Sequence, residues 1–262
     1  MEDDEVASGS IPAPSIPVKW KNKKLARPSS GMAELVQEMQ ETLPVVGIFH
    51  CGFVWLEPSE DEVELLERGA FGKPLPHAEI LRRQAYPEEV LRSIERRSFI
   101  AQLELEEAFF LAYAVGWLHI KDSQGVRIPA TELWRLFQEC RPTFLPLYTA
   151  YHHFRCSGWV VKNGVQFGAD WVLYRGHPGE IHSEYCVIVA AEGLPPRLDT
   201  WVDLHSETRL CRQVVKGLIQ VNLIQDRGTA SADPTEHLAS FSIEEIQIKR
   251  WQPERHREGP QE

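Results

Sequence analysis

Residues 159–174 read Trp159-Val160-Val161-Lys162-Asn163-Gly164-Val165-Gln166-Phe167-Gly168-Ala169-Asp170-Trp171-Val172-Leu173-Tyr174. Two runs rich in β-branched and aromatic residues flank Asn163-Gly164, a pair suited to the positive φ angles of a tight turn. The pattern predicts a hairpin of 159–161 with 165–167, followed by a strand over 171–174. Downstream, 185–190 reads as a strand, 199–214 as a helix and 218–224 as another strand. Residues 226–237 are small, polar and charged, which predicts a loop insertion. Ile243, Ile246 and Ile248 alternate with charged neighbours and predict a terminal edge strand over 243–251.

Upstream, 147–154 reads as helical, and Pro142 and Pro146 mark a boundary before it. A buried strand is predicted at 45–49 and an amphipathic helix at 60–68, with Val63, Leu65 and Leu66 among acids. A second helix is expected over 103–115, and a third opened by Pro129 with Leu133, Trp134 and Phe137 on its apolar face. Residues 1–42 read as weakly ordered, because prolines at 12, 14 and 17 suit neither helix nor central strand. Lys19, Lys21, Lys23, Lys24 and Arg27 surround Trp20, a pattern open to nuclear targeting, RNA contact or a solvated tail. The expected plan is α/β throughout: a tail over 1–42, a small α/β domain over 43–146, a mixed-sheet α/β domain over 147–255 and a tail over 256–262.

The chain of 262 residues has ample material for a buried core. It has no apolar run of the roughly 20 residues a membrane span needs, and its acidic start lacks a secretory pattern. A soluble, intracellular protein is expected. The five cysteines are scattered without a C-x-x-C pair, so small buried side chains are expected rather than disulfides or zinc ligands. A net charge of −10 argues against a protein that coats nucleic acid by itself. Residues 57–107 hold 13 acids and 7 bases, a balance of −6, whereas 141–227 hold 8 and 9, a balance of +1. A phosphate-handling surface therefore belongs in the second half, and the acidic first half is expected to face solvent or protein partners.

Three side chains in that half combine into a possible chemistry. Tyr174 ends an apolar run, His182 follows eight residues later, and Lys216 lies thirty-four residues further on. A phenol as base, an imidazole as acid and an ammonium as charge stabiliser suffice, without metal, to break a phosphodiester by attack of its own 2′-hydroxyl. The substrate would then be RNA, since DNA lacks the attacking group. Taken singly, each residue has an ordinary reading: rim packing for the tyrosine, an exposed loop position for the histidine, a snorkelling lysine at a strand start. His152 and His153 point to different helical faces, so they make a poor metal pair. Gly164-x-x-x-Gly168 lacks the Lys-Ser/Thr of a phosphate-binding loop.

The segments Tyr151-His152-His153-Phe154-Arg155-Cys156-Ser157-Gly158-Trp159-Val160, Phe167-Gly168-Ala169-Asp170-Trp171-Val172-Leu173-Tyr174 and His182-Ser183-Glu184-Tyr185 resemble the tRNA-splicing endonuclease family. They are most similar to its catalytic subunit for the 5′ splice site, in a compact, plant-like form. Leu105-Glu106-Glu107-Ala108-Phe109-Phe110-Leu111 and Gly69-Ala70-Phe71-Gly72-Lys73 resemble that subunit's N-terminal domain. The resemblance implies a small α/β N-terminal domain and a nuclease domain of the tRNA-intron endonuclease type. The tyrosine of G-x-D-x-x-x-Y falls on Tyr174, the histidine of H-S/A-x-Y on His182, and the lysine after the helix on Lys216. It further implies cleavage of precursor tRNA without metal or other cofactor, leaving a 2′,3′-cyclic phosphate and a 5′-hydroxyl. Arg209 matches the arginine that, with an aromatic partner, clamps an intron base, and Trp251 is the candidate partner. Structural and second catalytic subunits of a heterotetramer are implied as partners, with ile-rich residues 243–248 as a pairing edge. The expected compartment is the nucleus, with cytoplasm or an organelle surface open. The rival readings are a catalytic subunit for the 3′ splice site, a non-catalytic subunit of the same assembly, and, more distantly, a metal-dependent DNA nuclease.

Overall fold

A computed structural model describes residues 31–75, 100–225 and 233–249. The first half opens with α1 (Met32–Glu41), which buries Leu35 and Met39. This helix lies inside the stretch expected to be weakly ordered. The prolines that suggested disorder stop at position 17, and the spacing of Leu35 and Met39 gives the segment its own apolar face.

Strands β1 (Val45–His50) and β2 (Phe53–Leu56) form an antiparallel pair around Cys51-Gly52, both at positive φ. Helix α2 (Glu60–Arg68) begins at Ser59, whose N–H donates to the Glu62 carboxylate at 2.6 Å. Strands β3 (Lys73–Leu75), β4 (Ile100–Leu103) and β5 (Leu118–Lys121) complete a mixed sheet in the order β3-β4-β2-β1-β5. Helix α3 (Leu105–Phe109) runs into a π-helical turn, Phe110–Val115, where a single helix was predicted. Helix α4 (Ala130–Cys140) starts after Pro129 and buries Leu133, Trp134 and Phe137, as its spacing predicted.

Helix α5 (Phe144–Cys156) runs through the expected boundary at 146. Pro146 sits in its first turn, where its missing N–H has no intrahelical partner to lose. The second sheet has the order β10-β9-β8-β7-β6. Its strands are β6 (Val160–Asn163), β7 (Trp171–Tyr174), β8 (Tyr185–Ala191), β9 (Gly217–Gln225) and β10 (Phe241–Ile248). Helix α6 (Trp201–Gln213) joins β8 to β9, which run parallel, so these elements form a β-α-β crossover. Helix α7 (Pro234–Ala239), capped by the Asp233 side chain, begins inside the stretch 226–237 that was expected to be loop and extends past it. Residue 251 and the tail 256–262 lie outside the described residues.

The predicted hairpin changes partner. Strand β6 pairs with β7, Asn163 opposite Trp171, not with 165–167. Asn163 Oδ1 accepts the Val165 N–H at 3.0 Å, which folds Val165–Phe167 into a 3-10 turn that leaves Val165 76% exposed. Gly164 has φ −98°, so the tight-turn conformation expected of Asn-Gly is not used; Gly168, at φ +71°, turns the chain back.

One apolar cluster runs from Leu35 on α1 to Phe241 on β10 and unites both sheets through α3, α4 and α5. Phe109 lies fully buried among the rings of Tyr113, Trp134, Phe137, Phe144 and Tyr148. The acids of the first half do not all face solvent as expected. Glu106 is buried against the Arg141 guanidinium, and burial, opposed by that charge, holds its carboxyl above the usual range. Glu107 accepts Lys162 Nζ at 2.8 Å and the Gly72 N–H at 3.2 Å, tying the first half to β6. Arg155, also buried, donates to Tyr151 Oη and to the Gly69 carbonyl, both at 2.9 Å. Cys186 and Cys211 are buried as expected; Cys51, Cys140 and Cys156 are exposed. Among the described residues, no helix is long and apolar enough to cross a membrane.

Candidate active site

Register places the catalytic candidates. Leu173 lies opposite Tyr185 on antiparallel β7 and β8, and Tyr185 lies opposite Gly217 on parallel β8 and β9. One step outward, the same geometry aligns Tyr174, Glu184 and Lys216 in a row across one end of the sheet. Neighbouring strands are about 4.8 Å apart, so Tyr174 and Lys216 flank a gap of roughly 10 Å. His182 stands two residues before Glu184 at the mouth of this row.

Alternation along the strands decides which way the row faces. Leu173, Val187 and Ile219 enter the main core, whereas Val172, Cys186, Ile188 and Leu218 meet Cys211 of α6 in a smaller cluster on the other face. Tyr174 packs against this second cluster together with Phe167. The Lys216 ammonium lies 4.8 Å from the centre of the Phe167 ring and donates to the Ser183 carbonyl at 3.2 Å. Tyr174 and Lys216 therefore share a face, and the ring and the carbonyl hold the lysine side chain in place.

Two devices fix this end of the sheet. Val215 adopts φ +55°, strained for a β-branched residue, and lets the Lys216 N–H reach the Cys211 carbonyl at 2.8 Å. The turn thus joins the end of α6 to the lysine. Glu184 donates its N–H to the Leu173 carbonyl at 2.8 Å and its own carbonyl accepts the Gly217 N–H at 2.8 Å, while its carboxylate is paired with Arg175, the residue after β7. The negative charge in the middle of the row is neutralised locally. His182 is exposed, on a loop whose Glu180 and Ile181 N–H groups return to the His177 carbonyl.

The other predicted residues fall as follows. Arg209 is exposed on α6, one turn before its end and on the side of the fold that carries the row. Trp251 lies outside the described residues. Asp170, the acid of the G-x-D-x-x-x-Y pattern, accepts the Val189 N–H at 2.8 Å and Arg197 Nη1 at 3.2 Å, a bracing role between β7, β8 and the loop before α6. His152 is drawn down to about 4 by burial and then by the neighbouring His153, and its neutral ring packs on Phe110 and Tyr148. His153 pairs instead with Glu245 of β10 at 2.6 Å. A cavity of about 170 Å³ lined by Ile188, Leu194, Arg197 and Gln220 lies toward the far end of β8, away from the row. Sequence reasoning missed Phe167 and the Ser183 carbonyl as supports of Lys216. Phe167 was visible as an aromatic beside Gly168, but was assigned to a strand.

Comparison with known proteins identifies the family. The family profile of the tRNA intron endonuclease N-terminal domain matches residues 51–134, and that of its catalytic C-terminal domain matches residues 144–230. The chain is 34% identical over 244 residues to tRNA-splicing endonuclease subunit Sen2-1 of Arabidopsis thaliana, covering 92% of this chain and 96% of that protein. The chain belongs to the tRNA intron endonuclease family. Identity to subunit Sen2-2 of the same plant is 33% over 92% of this chain and 90% of the relative. Rat subunit Sen2 is 35% identical over 78% of this chain but only 44% of its own length. As a tRNA intron endonuclease the chain is an endoribonuclease, and Tyr174, His182 and Lys216 all lie within the residues matched to the catalytic domain.

Proposed function

We propose that the chain is the subunit of a tRNA-splicing endonuclease that cuts precursor tRNA at the 5′ splice site. The observation that carries this reading is the row itself: Tyr174 and Lys216 on one face of one sheet end, with His182 at its mouth. The two relatives that match 92% of this chain are named as Sen2 subunits of that endonuclease.

In this mechanism the Tyr174 phenolate takes the proton of the 2′-hydroxyl at the cut nucleotide. The 2′-oxygen bonds to phosphorus as the bond to the 5′-oxygen breaks, and protonated His182 gives its proton to that leaving oxygen. Lys216 offsets the charge gathering on the non-bridging oxygens. The products are a 2′,3′-cyclic phosphate and a 5′-hydroxyl, and the protein supplies every proton transfer without a metal. Arg209 with Trp251 holds an intron base by stacking. The partners are structural subunits and a second catalytic subunit, with β10 as the edge open to pairing; the compartment is the nucleus.

The test is a reconstituted complex containing Lys216→Ala, with both cut positions mapped on precursor tRNA. Cleavage at the 5′ site is expected to slow by about 10²–10³, the usual effect of removing one donor from a developing anion, while the 3′ cut persists. Loss of the 3′ cut alone would assign the chain to the other site. Unchanged cleavage at both would make it a non-catalytic subunit.

A further inference from the structure

Helix α6 leaves one face open. Trp201 and Val202 are each 72% exposed, unusual for side chains so apolar. His205, Arg209 and Arg212 are exposed as well. Positions 201, 205, 209 and 212 recur at three- and four-residue steps, so they form one stripe along the helix. The Trp201 and His205 rings meet edge to face at 4.9 Å.

The carboxylates of the helix are engaged elsewhere. Asp203 accepts from the Thr200 backbone and hydroxyl, and Glu207 accepts Arg197 Nη2 at 3.1 Å. The stripe therefore carries cations and aromatics and no acid, in a chain of net charge −10. It also leads to the catalytic row, because the turn after Gln213 delivers Lys216 through the Cys211 carbonyl. Trp201 and Gln213 are about 18 Å apart along the axis, at 1.5 Å per residue. A base on Trp201 would thus belong to a nucleotide several removed from the reacting phosphate.

We propose that Trp201 and His205 form a stacking platform for an unpaired nucleotide of the substrate strand, with Arg212 following its phosphates toward Lys216 past the base-holding Arg209. The proposal rests on the RNA-cleaving reading given above. Aromatic faces beside a cationic track are how proteins hold single strands: every base has a face to stack, and the cations follow the backbone. Two arginines, the absence of acids and continuity with the catalytic row favour a polyanion over a protein subunit on this face.

The experiment uses the reconstituted complex and a precursor tRNA carrying 2′-deoxynucleotides at both cut positions, which binds without reacting. Trp201→Ala is expected to raise the dissociation constant roughly 5- to 100-fold, the range for one lost base stack, and Trp201→Phe to recover most of it. Arg212→Gln is expected to flatten the salt dependence by about 0.7 in log–log slope, the value for one contact to a single strand. Unchanged binding in Trp201→Ala overturns the proposal, as does failure of that variant to assemble, which would mean that a protein subunit covers the face. Cleavage by a His182→Ala complex is read separately. Normal cleavage there with weakened Trp201→Ala binding rejects the catalytic reading and keeps the platform; the reverse pair rejects the platform alone.

Discussion

Replacing His182 by alanine is expected to reduce cleavage at one splice site by about 10²–10⁴, the range for losing a positioned proton donor. The same change should leave folding and assembly intact. His182 is exposed, and its loop is held by the Glu180 and Ile181 N–H groups on the His177 carbonyl and by the Gly179 N–H on His177 Nδ1, so removal of the His182 imidazole opens no cavity. The measurement is a single-turnover time course on precursor tRNA, with both cuts resolved and assembly checked by size. Selective loss of one cut in an intact complex is expected. Full activity at both sites would contradict the assignment of His182 as the acid.

The largest expected effect on stability lies far from the row. Phe109→Ala removes a fully buried ring from contact with five other aromatic rings contributed by α4, α5 and the π-helical turn. Such a deletion costs about 3–5 kcal/mol, since the cavity it leaves adds to the lost transfer energy. That is a large part of the 5–15 kcal/mol typical of a folded domain. Denaturant titration should show a much lower midpoint for Phe109→Ala and a milder loss for Phe109→Leu, which fills most of the space. Because one core serves both sheets, the expected loss is in one transition and includes the endonuclease half. Unfolding of the first half alone, with β7–β9 intact, would show that the halves are independent.

The sequence made the regular elements legible where one periodic face decided them. The helices at 60–68 and 130–140 follow from Leu65 and Leu66, and from Leu133, Trp134 and Phe137. Strands at 171–174 and 185–191 follow from their β-branched and aromatic content. Legibility failed where a local side-chain bond outweighed propensity. Asn163 holds the Val165 N–H and makes a 3-10 turn of residues that look like a strand. Glu106 and Glu107 looked like solvent-facing charge, because Arg141 and Lys162, their partners, lie 35 and 55 residues away.

The site was legible as residue types and as a resemblance, but not as geometry. No spacing rule states that Tyr174 and Lys216 fall in one row; that follows from the antiparallel pairing of β7 with β8 and the parallel pairing of β8 with β9. The ammonium is aimed by Ser183 and Phe167, residues distant in sequence that no local pattern links to Lys216.

The central claim is that this row cuts RNA by using the strand's own 2′-hydroxyl. It is tested most directly on a precursor tRNA with a single 2′-deoxynucleotide at the 5′ cut position, incubated with the reconstituted complex in EDTA. A normal 3′ cut and no 5′ cut are expected, with a 2′,3′-cyclic phosphate at the 5′ exon end when the all-RNA precursor is used instead. Cleavage of the deoxy-substituted position, or a 3′-hydroxyl at that exon end, would contradict it.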